Sequence, residues 1–112
     1  MIEKVLYDYV KKNSDKPVYL EVPDLTKVKD FFTIEKVGSS KENHINSSII
    51  AIQSWATSLY EAASMNEYIK QIIENSIELN YICSVRLNSD YNFTDTDVKK
   101  YRYQALFDIV HY

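Results

Sequence analysis

The stretch from Ser47 to Asn75 constrains this chain more than any other. It opens with Ile49-Ile50-Ala51-Ile52, an apolar run with β-branched bulk and no Gly or Pro, which reads as a buried strand. It continues as TSLYEAASMNEYIKQIIEN, which reads as one long helix. Ser58 is placed to accept from the backbone N–H three residues on, and Glu61 to reach back, the two halves of a capping box. Leu59, Ala62, Ala63, Ile69, Ile72 and Ile73 recur at helical spacing and share one broad stripe, with Met65 at its margin. Tyr60, Ser64, Glu67, Gln71 and Glu74 fall on the other side. A strand running straight into a helix through Ala56-Thr57 forms a tight unit, and that helix must cover one face of the strand's sheet.

The flanks supply the rest of the sheet. Residues 2 to 12 read as a helix with Val5, Leu6, Tyr9 and Val10 on one stripe, Glu3 early and Lys11-Lys12 late, as the helix dipole prefers. Asn13 to Pro17 breaks it. Val18 to Val22 alternates and reads as a strand that Pro23-Asp24 ends. Phe31 to Val37 is the second strand. Gly38, the single glycine, is expected to take a backbone conformation other residues avoid. Ser39 to Asn46 (SSKENHIN) reads as a polar loop joining the second and third strands as hairpin partners. Tyr81 to Ser89 is the fourth strand, Tyr91 to Asp97 a turn-rich segment, and Lys100 to Val110 the fifth strand; Asp90, Asp95 and Asp97 are expected to form turns through their own backbone. The expected fold is one α/β (α+β) domain over residues 1–112, in the order α-β-β-β-α-β-β. It has a mostly antiparallel sheet of about five strands with two helices packed on one face.

Alternation assigns the two faces. Val18, Leu20, Val22, Phe32, Ile34, Ile50, Ile52, Cys83, Val85 and Leu87 are expected to face the helices. Tyr19, Glu21, Thr33, Glu35, Gln53, Ser84, Arg86 and Asn88 take the other side. The fifth strand is ambiguous in its orientation, but Arg102, Gln104 and Asp108 share a face either way.

Composition narrows function by exclusion. The net charge of −3 disfavours a binder that relies on neutralising phosphates. One cysteine, Cys83, rules out an internal disulfide and a multi-cysteine metal cluster. His44 and His111 lack ligands at metal-binding spacing, so no metal and no cofactor is expected. Gly38-Ser39-Ser40-Lys41 lacks the spacing of a phosphate loop, and Asp90, Asp95 and Asp97 lack the glycine and terminal Glu of a calcium loop. No acid, base and nucleophile can be named together, so an enzyme is not expected. No apolar signal region and no long apolar run is present, so neither that secretion route nor a membrane partner is expected. Tyrosine, used 10 times, pairs apolar area with a hydroxyl and suits protein interfaces.

Four segments carry a resemblance. They are Phe32-Thr33-Ile34-Glu35-Lys36-Val37-Gly38; Ala51-Ile52-Gln53-Ser54-Trp55-Ala56 followed by Leu59-Tyr60-Glu61-Ala62-Ala63; Leu87-Asn88-Ser89-Asp90-Tyr91-Asn92-Phe93; and Tyr101-Arg102-Tyr103-Gln104-Ala105 onward. Together they resemble the small tail terminator or tail-completion proteins of long-tailed bacteriophages, prophages and phage-tail-like bacteriocins. The resemblance spans roughly residues 17 to 112. It implies a structural virion protein at the head-proximal end of the tail, assembled in the host cytoplasm. Such a protein forms a homohexameric ring that caps the tail tube, ends tube polymerisation and offers a docking surface to the head connector. Its implied partners are itself, the tail tube protein, the sheath protein in contractile tails and the head connector, with DNA only in passage through the lumen.

A ring needs a heterologous contact that closes on itself. Two segments are candidates for the ring and tube interface: Ser39, Ser40, Lys41, Glu42, Asn43 and His44, and Asp90, Tyr91, Asn92 and Phe93. Glu35, Gln53, Arg86, Arg102 and Gln104 are candidates to face a lumen. Two rival readings predict other behaviour. A head-tail adaptor or neck ring leaves tail length unaffected when lost. A small-ligand-binding or regulatory module needs a deep apolar pocket.

Overall fold

The computed structural model describes residues 1–97 and 100–112. Helix α1 (Ile2–Asn13) buries Ile2, Leu6, Tyr9 and Val10, and carries Glu3 in its first turn and Lys11 and Lys12 in its last. Strands β1 (Val18–Tyr19), β2 (Phe31–Glu42) and β3 (Ile45–Ala56) follow, then helix α2 (Leu59–Asn75), a 3-10 turn (Ser76–Glu78), and strands β4 (Ile82–Asn92) and β5 (Tyr101–His111). The sheet order is β1-β2-β3-β5-β4. The β1–β2 pair is parallel and every other pair is antiparallel. The expected element order and sheet type are those observed.

The α2 start follows its sequence in part. Ser58 Oγ accepts from the Glu61 N–H at 3.1 Å. The Glu61 carboxylate does not complete the box; it lies 3.8 Å from Lys16 Nζ. The buried stripe is Ala62, Met65, Asn66, Ile69, Ile72 and Ile73, while Leu59, at the first turn, is exposed. Both helices share a single core with Phe32, Ile34, Ile50, Ile52, Ala105, Phe107 and Ile109. That fixes the orientation of β5: Ala105, Phe107 and Ile109 face the helices, and Arg102, Gln104 and Asp108 face away.

Four expectations fail locally. The first strand stops at Tyr19, and Leu20 and Val22 are exposed rather than core. Because β1 is parallel to β2, the chain must peel away early to return to the start of β2. Pro23 and a turn in which Asp24 Oδ1 accepts from the N–H and hydroxyl of Thr26 complete that return. Second, the polar stretch from Ser39 to Asn46 is not a loop. β2 runs to Glu42, β3 starts at Ile45, and only Asn43 and His44 turn, with φ of 51° and 67°. Two successive positive φ values match the twist of the flanking strands in a two-residue hairpin. Polarity there signals exposure, not irregular backbone.

Third, Gly38 has no positive φ. It sits at a register irregularity between Lys36 and Gly38 of β2, where a Cβ would meet Ile49 Cδ1 at an ordinary 3.5 Å. Fourth, Cys83 is exposed. An irregularity between Ile82 and Ser84 inserts an extra residue in β4, so Ile82 takes the core position and Cys83 turns outward.

Candidate functional site

The face of the sheet away from the helices has two unlike halves. Near the N-terminal end of β2 it is covered. Phe31 stacks on Trp55 with ring centroids 5.5 Å apart, and Tyr19 meets Phe31 edge-on at 5.7 Å. The Arg102 guanidinium lies 4.5 Å from both the Trp55 and Phe93 ring centroids, a cation held between two aromatic faces. Its Nε donates to the Phe93 carbonyl at 3.0 Å. Burial pulls the Arg102 pKa down, and Asp95 opposes that shift. Lys100 Nζ donates to the carbonyls of Val28 and Lys29, and sits 5.4 Å over the Phe31 ring. Val28 and Lys29 before β2, with Phe93 and Lys100 before β5, thus close over this half.

Beneath them runs a hydrogen-bonded ladder across four strands. The Trp55 indole N–H donates to Thr33 Oγ1 at 3.1 Å, and the Thr33 hydroxyl donates to Gln53 Oε1 at 3.0 Å. Gln53 Nε2 donates to Gln104 Oε1 at 2.7 Å, and Gln104 Nε2 donates to the Tyr91 hydroxyl at 2.6 Å. Thr33, Gln53 and Gln104 are all buried. Alternation places Thr33 and Gln53 on one face, and Tyr91 joins them only through the irregularity between Leu87 and Ser89 of β4; nothing in the alternation shows that this half of the face is covered.

The five candidate lumen residues do share this face. Glu35 pairs with Ala51, Gln53 with Gln104, Arg86 with Asp108 and Trp55 with Arg102. Only Glu35 and Arg86 are exposed. Gln53, Gln104 and Arg102 are engaged in internal contacts and so are not surface groups, which corrects the reading of these three as an open lining.

The other half of the face is bare. Ile49 is 40% exposed and Val37 52% exposed, beside Ser40, Ser47 and Arg86. A concavity of about 570 Å³ lies here, lined by both hairpin strands, Arg86, Asp108 and Val110. Arg86 is 3.5 Å from Asp108. Ser39, Ser40, Lys41, Glu42, Asn43 and His44 are all exposed. The second candidate group is not beside them: Asn92 pairs with Tyr103 at the opposite end of the sheet, where Tyr91 and Phe93 are exposed and meet edge-on at 5.7 Å.

Asp90 departs from both of its expected roles. It is neither a turn former nor an outward contact. It faces the helices, accepting from Lys70 Nζ and Asn66 Nδ2, each at 2.8 Å. The Lys70 hydrogen bond, opposed by burial and helped by Asn66, holds the Asp90 carboxyl below its usual range. The same bond, opposed by burial and helped by Glu67, raises Lys70. A lowered carboxyl stabilises the fold above its unfolded pKa and loses that contribution as pH falls through the folded value. A raised lysine stabilises below its unfolded pKa and loses that contribution as pH rises through the folded value. Asp90→Asn is therefore expected to lose about 1–2 kcal/mol at neutral pH, and urea titrations should show the deficit shrinking toward acid. A deficit that stays constant into acid removes this role for Asp90.

Ser48 Oγ lies 2.8 Å from His111 Nε2. Both residues are buried, and the pair fastens the start of β3 to the end of β5. Among the described residues there is no group of three or more His, Cys, Asp or Glu able to hold a metal ion. No helix among them is long and apolar enough to cross a membrane. No protein-family model matches this chain, and no curated protein matches it.

Proposed function

We infer that this chain is a structural subunit of a phage-type tail, forming a ring that caps the tail tube and ends its polymerisation. The observation that carries this reading is the one-sided build of the sheet. Two helices shield one face, and the far half of the other face is left bare beside an exposed hairpin. A subunit of a closed ring needs two different surfaces, one for each neighbour, plus a third for the tube. The bare half-face, the hairpin at one end, the Tyr91–Phe93 rim at the other and the open outer edges of β2 and β4 give one small domain more than the three surfaces a ring subunit needs. The sequence resemblance to tail terminators supplies the machine. In this reading Glu35 and Arg86 are the exposed groups of the candidate lumen set, and a head connector docks on the ring's outer side.

The test is deletion of the gene in a tail-producing host, with tails measured by electron microscopy. Tubes of uncontrolled, excessive length are expected, and the purified protein added back should decorate one tube end as a ring. Tails of normal length beside unattached heads refute the terminator reading and favour a head-tail adaptor.

A further inference from the structure

The two edges of the sheet are not equivalent. On one side β1 covers only Phe32 and Thr33 of β2, and Met1 and Leu20 lie near Ile34 to Lys36. The outer edge of β2 from Val37 to Glu42 therefore has no strand beside it among the described residues. On the other side β4 forms an edge along its whole length, Ile82–Asn92, again with no outer strand among the described residues. Protected edges carry lysine or proline, or are short. β4 is long, contains no Lys or Pro, and its one exposed charge is Arg86.

We propose that these two edges join: β4 of one subunit adds to the free edge of β2 in the next, extending one sheet through the junction. This rests on the ring reading and names the contact that closes it. Three features favour a second copy of this chain as the occupant. The first is strand sense. β2 and β5 are each antiparallel to β3, and β4 is antiparallel to β5, so β4 runs opposite to β2 within one subunit. A ring axis roughly along the strands preserves direction, so β4 meets its neighbour's β2 in the antiparallel sense.

The second feature is level. Gly38, Ile49, Asp108 and Arg86 lie in one cross-strand row, and Ser40, Ser47, Val110 and Ser84 in another. A neighbour set without vertical offset brings Gly38-Ser39-Ser40 against Ser84-Val85-Arg86, where small side chains let the backbones approach. The third is charge. Arg86 faces Gly38 of the neighbouring copy, with exposed Glu35 and Glu42 on the same face to either side. Each junction is short, so single contacts are weak and the closed ring gains by multivalency.

Cys83, the chain's one cysteine, is exposed on the β4 edge and makes this testable. A Ser40→Cys variant adds a second thiol on the opposite edge. Three strand spacings, about 14 Å, separate the two edges within one subunit, whereas a disulfide spans at most about 7 Å between Cα atoms. Mild oxidation of concentrated protein should give a ladder of covalent multimers on a non-reducing gel. The Ser40→Cys/Cys83→Ser variant should give nothing larger than a dimer. Arg86→Glu should reduce ladder formation about tenfold, and adding Glu35→Arg should restore it. A Ser40→Cys sample that stays monomeric or stops at dimers overturns the edge junction. Rings seen by electron microscopy in that same sample leave the ring reading standing with a different contact. A ladder from protein whose loss leaves tail length normal keeps the junction and sinks the terminator reading.

Discussion

Gln53→Met is expected to lower stability by about 3 kcal/mol, because it removes two buried hydrogen bonds and strands two groups. The Thr33 hydroxyl loses its acceptor, and the Gln104 carbonyl oxygen loses its donor. Both residues are buried, so water does not readily replace the lost partner. Methionine nearly conserves volume, which separates this loss from a cavity effect. For a domain of this size the melting temperature should fall by roughly 10 °C. A cycle through Gln104→Met isolates the pair: its coupling energy should be about 1 kcal/mol or more, the range found for residues in one network. Trp55, the sole tryptophan, donates into the ladder and reports on it by fluorescence. Additive single effects, with coupling indistinguishable from zero, would mean the ladder is four separate contacts and not one network.

Lys100→Met is expected to lose about 2–3 kcal/mol, in keeping with hydrogen bonds made by a charged donor. The Lys100 ammonium holds two consecutive carbonyls, those of Val28 and Lys29, and so ties the connector before β2 to the start of β5. Without it those carbonyls lose their donor, and Phe31 loses the cation above its ring. The connector should open more often than the rest of the domain unfolds. Limited trypsin digestion at Lys27 or Lys29 should therefore accelerate on the order of tenfold, beyond what the change in global stability explains. Cleavage that tracks global unfolding alone would show that Lys100 stabilises the whole domain without acting as a local clamp.

These two sites mark where sequence patterning loses its reach. Gln53 is legible as an outer-face residue, because strand alternation depends only on parity, whereas Gln104 is placed beside it only by the packing of Ala105, Phe107 and Ile109 against the helices. Their burial is not legible, because it depends on partners brought in from other strands: Gln53 meets Thr33 and Gln104, and Gln104 meets Tyr91. Asp90 shows the same limit. Its neighbours Tyr91 and Asn92 are exposed, and the string Ser-Asp-Tyr-Asn looks like a turn. A register irregularity between Leu87 and Ser89 shifts the parity of β4. Asp90 pairs with Ala105 on the helix side, within reach of Lys70 and Asn66, which stand one helical turn apart on α2. Asn66 falls within the buried stripe of α2, and periodicity does not mark it because a polar residue there only makes sense once its partner Asp90 is in place.

What the sequence determined by itself is periodic. It contains the strand-to-helix unit from Ser47 to Asn75, the Ser58 cap, the element order and the side of the sheet on which most residues sit. Those features are local, set by spacing of two or 3.6 residues and by backbone chemistry within a few positions. What only the tertiary structure decided is non-local: where β1 ends, how the two bulged strands shift phase, which half of the outer face is covered, and which edges remain open. Each of these depends on segments far apart in the chain competing for the same surface, and no window of sequence contains both competitors.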